Sequence, residues 1–142
     1  MKVITAYSQK KDINGIVADI KEQIGSFDAK LIQFYASSNI NPERISAQLQ
    51  QAFINVPTIG CTTAGEIISG KMLDDSVVAM AFGSDIVEDC KIEILTNIDS
   101  DSSAVDKAFE SFAKYYNCSM EKLDHEKYVG IILIDGLSGK EE

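Results

Sequence analysis

The sequence predicts an α/β domain with a mixed β-sheet and flanking helices, and three observations lead there. Short apolar runs alternate with helical stripes from Val3 to Cys61, a β-α-β-α-β start. Beyond Cys61, strand-like runs follow one another across turn residues with no helical stripe between them, the pattern of antiparallel hairpin strands. The length of 142 residues fits a single domain spanning 1–142, large enough to bury roughly two thirds of its unfolded surface.

Each element carries its own signal. Val3-Ile4-Thr5-Ala6-Tyr7 reads as an extended run, and Ile13, Ile16, Val17, Ile20 and Ile24 form one helical stripe after it. Asp12 can cap that helix through its side-chain oxygen, and Gly25 is placed to end it in the left-handed conformation. The run Leu31-Ile32-Gln33-Phe34-Tyr35-Ala36 is apolar and β-prone enough for a buried strand. A second helix then opens with Asn41 as cap and Pro42 at its first position, with Ile45, Leu49, Ala52 and Phe53 facing one way.

After the strand at Thr58-Ile59-Gly60-Cys61, further strands are expected at Ile67-Ile68, Ser76 to Phe82 and Lys91 to Leu95. A long helix is expected from about Ser102 to Tyr116. Its inward side would hold Val105, Ala108, Phe109, Phe112 and Tyr116. It leads to the most apolar run of all, Tyr128 to Ile134, read as a last strand. The end of the chain spells a Ser138-x-x-Glu141 capping box with no helix left to cap, so the sequence reads as an incomplete N-terminal part of a longer chain. Leu31 to Glu43 and Val129 to Glu141 also echo each other as strand, small-residue loop and acidic helix start, a pattern that any two β-loop-α units can share.

Composition excludes several function classes. Apolar residues at 45% and charged residues at 25% are ordinary for a globular chain. The 13 basic residues are unclustered within a net charge of −9, which argues against a nucleic-acid partner. Nothing approaches the about 18 consecutive apolar residues of a spanning helix, and Met1 to Asp12 holds no signal-peptide core, so a cytoplasmic location without membrane insertion is expected. Cys61, Cys90 and Cys118 are widely spaced and form no Cys-x-x-Cys pair, so reduced thiols are expected, with no metal or other cofactor.

The most informative stretch is Pro57 to Ile67, an apolar run opening into a loop of small and hydroxyl residues that ends in one carboxylate. Gly60 and Gly65 would let the backbone approach a ligand or take positive φ, and Thr62, Thr63 and the amides between them offer donors without bulk. Phe34 to Ser38, the string Ile59-Gly60-Cys61-Thr62-Thr63-Ala64-Gly65-Glu66-Ile67, the Val77 to Phe82 run and Ile134 to Ser138 together resemble the FIST N-terminal domain. The likeness covers nearly the whole chain in the right order. It implies a bacterial sensory input domain of signal transduction that binds small ligands such as amino acids. It also implies a C-terminal FIST domain and a signalling output module as partners.

Ligands of α/β sheets sit beyond the carboxyl ends of the strands, where loops and helix N-termini converge. Ser37, Ser38 and Asn39 precede a helix whose amides favour an anion; Thr62 and Thr63 offer hydroxyls; Glu66 and Asp135 could hold an ammonium. With Gly60, Cys61, Gly65 and Ser138 these residues form the candidate ligand-binding set, and the mixture suits a zwitterion. Each residue singly could instead be a cap or turn that satisfies its own backbone.

Sharper motifs fail on inspection. Gly65 to Met72 spells a Walker A loop except at its end, where Met72 replaces the magnesium-binding hydroxyl. Asp99, Asp101, Ser103 and Glu110 sit at calcium-loop spacing, but Ala104 stands where that loop needs glycine, so an acidic helix start explains them better. Two alternatives to a sensor stay open. One is a thiol enzyme using Cys61, whose pKa loop amides could lower, although the single histidine, His125, has no sequence reason to be near it. The other is a docking module without a small ligand, using an apolar edge strand or the Phe109, Phe112, Tyr115 and Tyr116 helix.

Overall fold

The computed structural model describes residues 2–96, 98, 100, 101 and 103–135. The chain divides into two compact units, Met1–Cys90 and Lys91–Glu142. In the first, β1 (Val3–Ser8) leads to α1 (Ile13–Ile24), β2 (Ala29–Ser37), α2 (Pro42–Ala52) and β3 (Thr58–Thr63). The short strands β4 (Glu66–Ile68) and β5 (Lys71–Leu73) form a hairpin, and β6 (Val77–Gly83) follows. The α/β class with a β-α-β-α-β start and antiparallel strands after it is therefore present.

Both helix starts are set by the predicted caps. Asp12 Oδ1 accepts from Gly15 N at 2.7 Å, and Asn41 Oδ1 accepts from Arg44 N at 2.9 Å, satisfying amides that have no partner inside the helix. Gly25 takes φ +59° and ends α1, its N–H donating to Lys21 O.

The sheet order is β1-β6-β2-β3. β2 and β3 pair in parallel, while β6 lies antiparallel between β1 and β2, with Ala79 opposite both Ala6 and Phe34. The carboxyl ends of β1, β2 and β3 thus share one edge of the sheet with the amino end of β6. Ala6, Ala36, Ala79 and Ala81 keep one sheet surface low, and Ile16, Ile20, Ile24, Ile45 and Leu49 pack with them in one buried cluster.

The second unit departs from expectation. Helix α3 (Ala104–Tyr115) forms, but neither Lys91–Leu95 nor Tyr128–Ile134 is a strand. A strand exists by its ladder, and neither run has a hydrogen-bonded partner strand among the described residues. Val129 is 87% exposed and Ile132 85%. Of the predicted inward side of α3 only Ala108 is buried, while Val105 and Phe109 are exposed. Aromatic edges tie the unit locally, Tyr116 meeting Tyr115 and Tyr128 at ring distances of 5.0 and 5.3 Å.

Asp101 serves the start of α3, as the acidic-start reading expects. It accepts from Ser103 Oγ at 2.6 Å, Lys107 Nζ at 2.9 Å and Ser103 N at 2.9 Å. These donors lower its carboxyl pKa to about 2. Asp99 and Ser102, and the capping box with Ser138, lie outside the described residues.

Candidate functional site

Three loops meet at the carboxyl edge of the first unit's sheet. Ser37 N donates to Ser76 O at 2.9 Å and Ser38 N to Thr63 O at 3.2 Å, joining the loop after β2 to the loop after β3 and to the turn before β6. Asn39 Nδ2 donates to Asp75 Oδ1 at 2.7 Å, and Lys11 Nζ to Asp75 Oδ2 at 3.3 Å. The Asn39 amide and then the Lys11 ammonium hold the Asp75 carboxyl below its usual range.

At the centre lies Glu66, only 2% exposed. Its Oε1 accepts from Thr63 Oγ1 at 2.7 Å, and its Oε2 accepts from Ser76 Oγ at 2.7 Å and Ser76 N at 3.3 Å. All three donors are neutral, and no ion pair to Glu66 forms among the described residues. The carboxylate that the loop's composition offered to a ligand's ammonium is thus engaged within the protein.

Two cavities open beside these loops. One, of about 330 Å³, lies between the N-termini of α1 and α2 and is lined by Lys11, Asp12, Ile13, Asn14, Asn39, Asn41 and Arg44 among others. The other, of about 250 Å³, lies along β2, β3 and the first turns of α2, with Phe34, Ala36, Pro42 and Ile45 as apolar wall and Gly60, Cys61 and Thr62 beside them. The two helix N-termini bring partial positive charge to the first cavity, and Lys11 and Arg44 bring full charges against the Asp12 carboxylate. Such a lining can hold a small polar molecule carrying charges of both signs.

The glycines act differently from their predicted roles. A Cβ on Gly60 would meet the carbonyl oxygen of Phe34 and stand 2.6 Å from its ring, so the close approach is to a neighbouring strand. Gly65 takes no positive φ and has open space where a Cβ would lie; the positive φ in this region belongs to Gly70, in the β4–β5 turn. That hairpin occupies the Walker-like string, and no helix follows it.

Cys61 bears on the thiol-enzyme alternative. Burial pushes its thiol pKa up instead of loop amides lowering it, so its thiolate fraction near neutral pH is small. His125 is exposed, in the second unit.

Of the predicted set, Ser37, Ser38, Asn39, Thr63, Gly65 and Glu66 gather at the carboxyl edge of the first unit's sheet, while Gly60, Cys61 and Thr62 lie within β3 beside the smaller cavity; of these residues Asn39 alone lines the larger one. Asp135 belongs to the second unit, and Ser138 lies outside the described residues. Lys11, Asn14 and Arg44 are cavity residues that sequence reasoning missed. Their signal was the pair of helix caps, because two β-α units with parallel strands place both helix starts at the same sheet edge. Among the described residues, no group of three or more His, Cys, Asp or Glu could hold a metal ion. No described helix is long and apolar enough to cross a membrane.

The family model of the FIST N domain matches residues 30–142, from the start of β2 through the whole second unit. No curated protein matches the chain.

Proposed function

Because the chain belongs to the FIST N domain family, a family of sensory domains in signal transduction, we propose that it is a sensory domain for a small polar metabolite of the amino-acid class. Occupancy is passed to an attached signalling output module in the cytoplasm, with a C-terminal FIST domain as partner. Both units are parts of this one domain. The observation that carries the site is the cavity of about 330 Å³ between the N-termini of α1 and α2, which holds Lys11, Asp12 and Arg44 beside Asn39 of the loop after β2. A zwitterion fits that lining, its carboxylate toward Arg44 and Lys11 and its ammonium toward Asp12. Asn39, on the wall of the same cavity, supplies a further hydrogen-bonding group.

The test is thermal unfolding against a panel of amino acids and other small metabolites, repeated with Arg44→Ala. A ligand at about 100 times its Kd adds roughly 2.7 kcal/mol of stability by mass action. A selective upward shift of the midpoint that Arg44→Ala abolishes supports the reading. No shift across the panel at millimolar concentration overturns it.

A further inference from the structure

We propose that Glu66 is a positioning residue, which shapes the β3–β4 connection from inside without touching the ligand. It deepens the sensory reading, on which its ligand arm rests. A carboxylate offers about four acceptor sites. Three are taken by Thr63 Oγ1, Ser76 Oγ and Ser76 N, so that Glu66 ties the end of β3 to the turn before β6, ten residues further along the chain than Glu66 itself. To turn outward toward an ammonium, Glu66 would have to abandon buried donors, and each one left unpaired is costly. Ala64 and Gly65 of that connection are exposed, as is Thr62 at the end of β3, and they form its outward side.

The geometry sets an unusual order of tolerance, because the role needs reach and acceptor shape more than charge. Glutamine has the same length: its Oε1 can accept both Ser76 donors while its Nε2 donates to the Thr63 hydroxyl, which can also accept. Aspartate is shorter by a methylene and cannot span from Thr63 to Ser76. Alanine leaves Ser76 Oγ and N without their acceptor.

The experiment is amide hydrogen exchange on the whole chain without ligand, followed at residues 61–66 and 74–77 and, as an internal reference, in α1. Exchange in the two loops should quicken by about 10- to 100-fold in Glu66→Ala and Glu66→Asp, the range expected when buried donors lose their acceptor. Glu66→Gln should stay within about threefold of the wild type, with α1 unchanged throughout. Should Glu66→Ala not fold, Ser76→Ala and Thr63→Val remove one donor each and should quicken the same loops. Glu66→Gln behaving like Glu66→Ala, or loop exchange indifferent to the alanine variants, overturns the proposal. In the ligand arm, any metabolite that stabilises the wild type should stabilise Glu66→Gln to within about threefold in apparent affinity, and its loss there overturns the proposal as well. A panel that stabilises nothing defeats the sensory reading while leaving the exchange measurement decisive for Glu66.

Discussion

Two apolar, β-prone runs in this chain have opposite fates. Val77–Gly83 is strand β6, paired on both sides, with Val77, Ala79 and Ala81 wholly buried. Tyr128–Ile134 is at least as apolar in sequence, yet it forms no strand and leaves Val129, Ile131 and Ile132 exposed. Hydrophobicity was equal to the task in both places. What differs is the supply of neighbours: β6 lies between β1 and β2, so its successive residues close hydrogen bonds to one side and the other in alternation, and it buries a face against helices.

The largest expected effect tests that contrast directly. Ala81→Asp puts a carboxylate at a wholly buried position between Ile4 and Ile32, and should cost roughly 4 kcal/mol or more, enough to abolish cooperative unfolding of the first unit. Val129→Asp should move the denaturant midpoint by no more than about 0.5 kcal/mol equivalent, because its side chain already meets water. Equal losses from the two variants would break the comparison.

Next in size, Leu49→Ala removes a fully buried side chain of α2 and should cost roughly 2–5 kcal/mol, set beside Ile132→Ala at under about 0.5 kcal/mol. Gly60→Ala should destabilise by about 1–3 kcal/mol, since the new methyl meets Phe34 on the neighbouring strand; chemical shifts of β2 and β3 should move while those of β1 do not. Asp12→Ala removes the α1 cap and should cost about 1 kcal/mol in urea unfolding.

The smallest effect belongs to the second unit. The Asp101 pKa is lowered from 3.8 to about 2, so its contribution to α3 is fully present above the unfolded value and is lost as pH falls through about 2. The helical circular dichroism of Asp101→Asn should be indifferent to pH across that window where the wild type declines. A wild type equally indifferent would remove Asp101 from the start of α3.

Much of the first unit was legible because its signals are local. Asp12, Gly25, Asn41 and Pro42 each act within one turn of where they stand, so reading them needed no knowledge of the rest. The order of strands was not legible, since no residue of Val77–Gly83 says that it will lie between β1 and β2. The same limit explains the last apolar run: periodicity reports what a segment could bury, and a ladder needs a partner that the segment does not encode. The site divided along that line too. The edge that gathers Ser37, Thr63 and Glu66 followed from β-α units with parallel strands, but the inward turn of Glu66 depends on Ser76, across an intervening hairpin, and the cavity residues Lys11 and Arg44 meet only through the crossover.

The central place of β6 also sets a clock. It is the last strand of its unit to leave the ribosome, yet both β1 and β2 require it as their common neighbour. Until β6 has emerged, β1 has no ladder partner at all. Its longest-range contacts, such as Val3 opposite Phe82, close last and span nearly the whole unit. The pairing that unites β1 with the rest of the sheet is therefore available only when synthesis has reached the end of the unit.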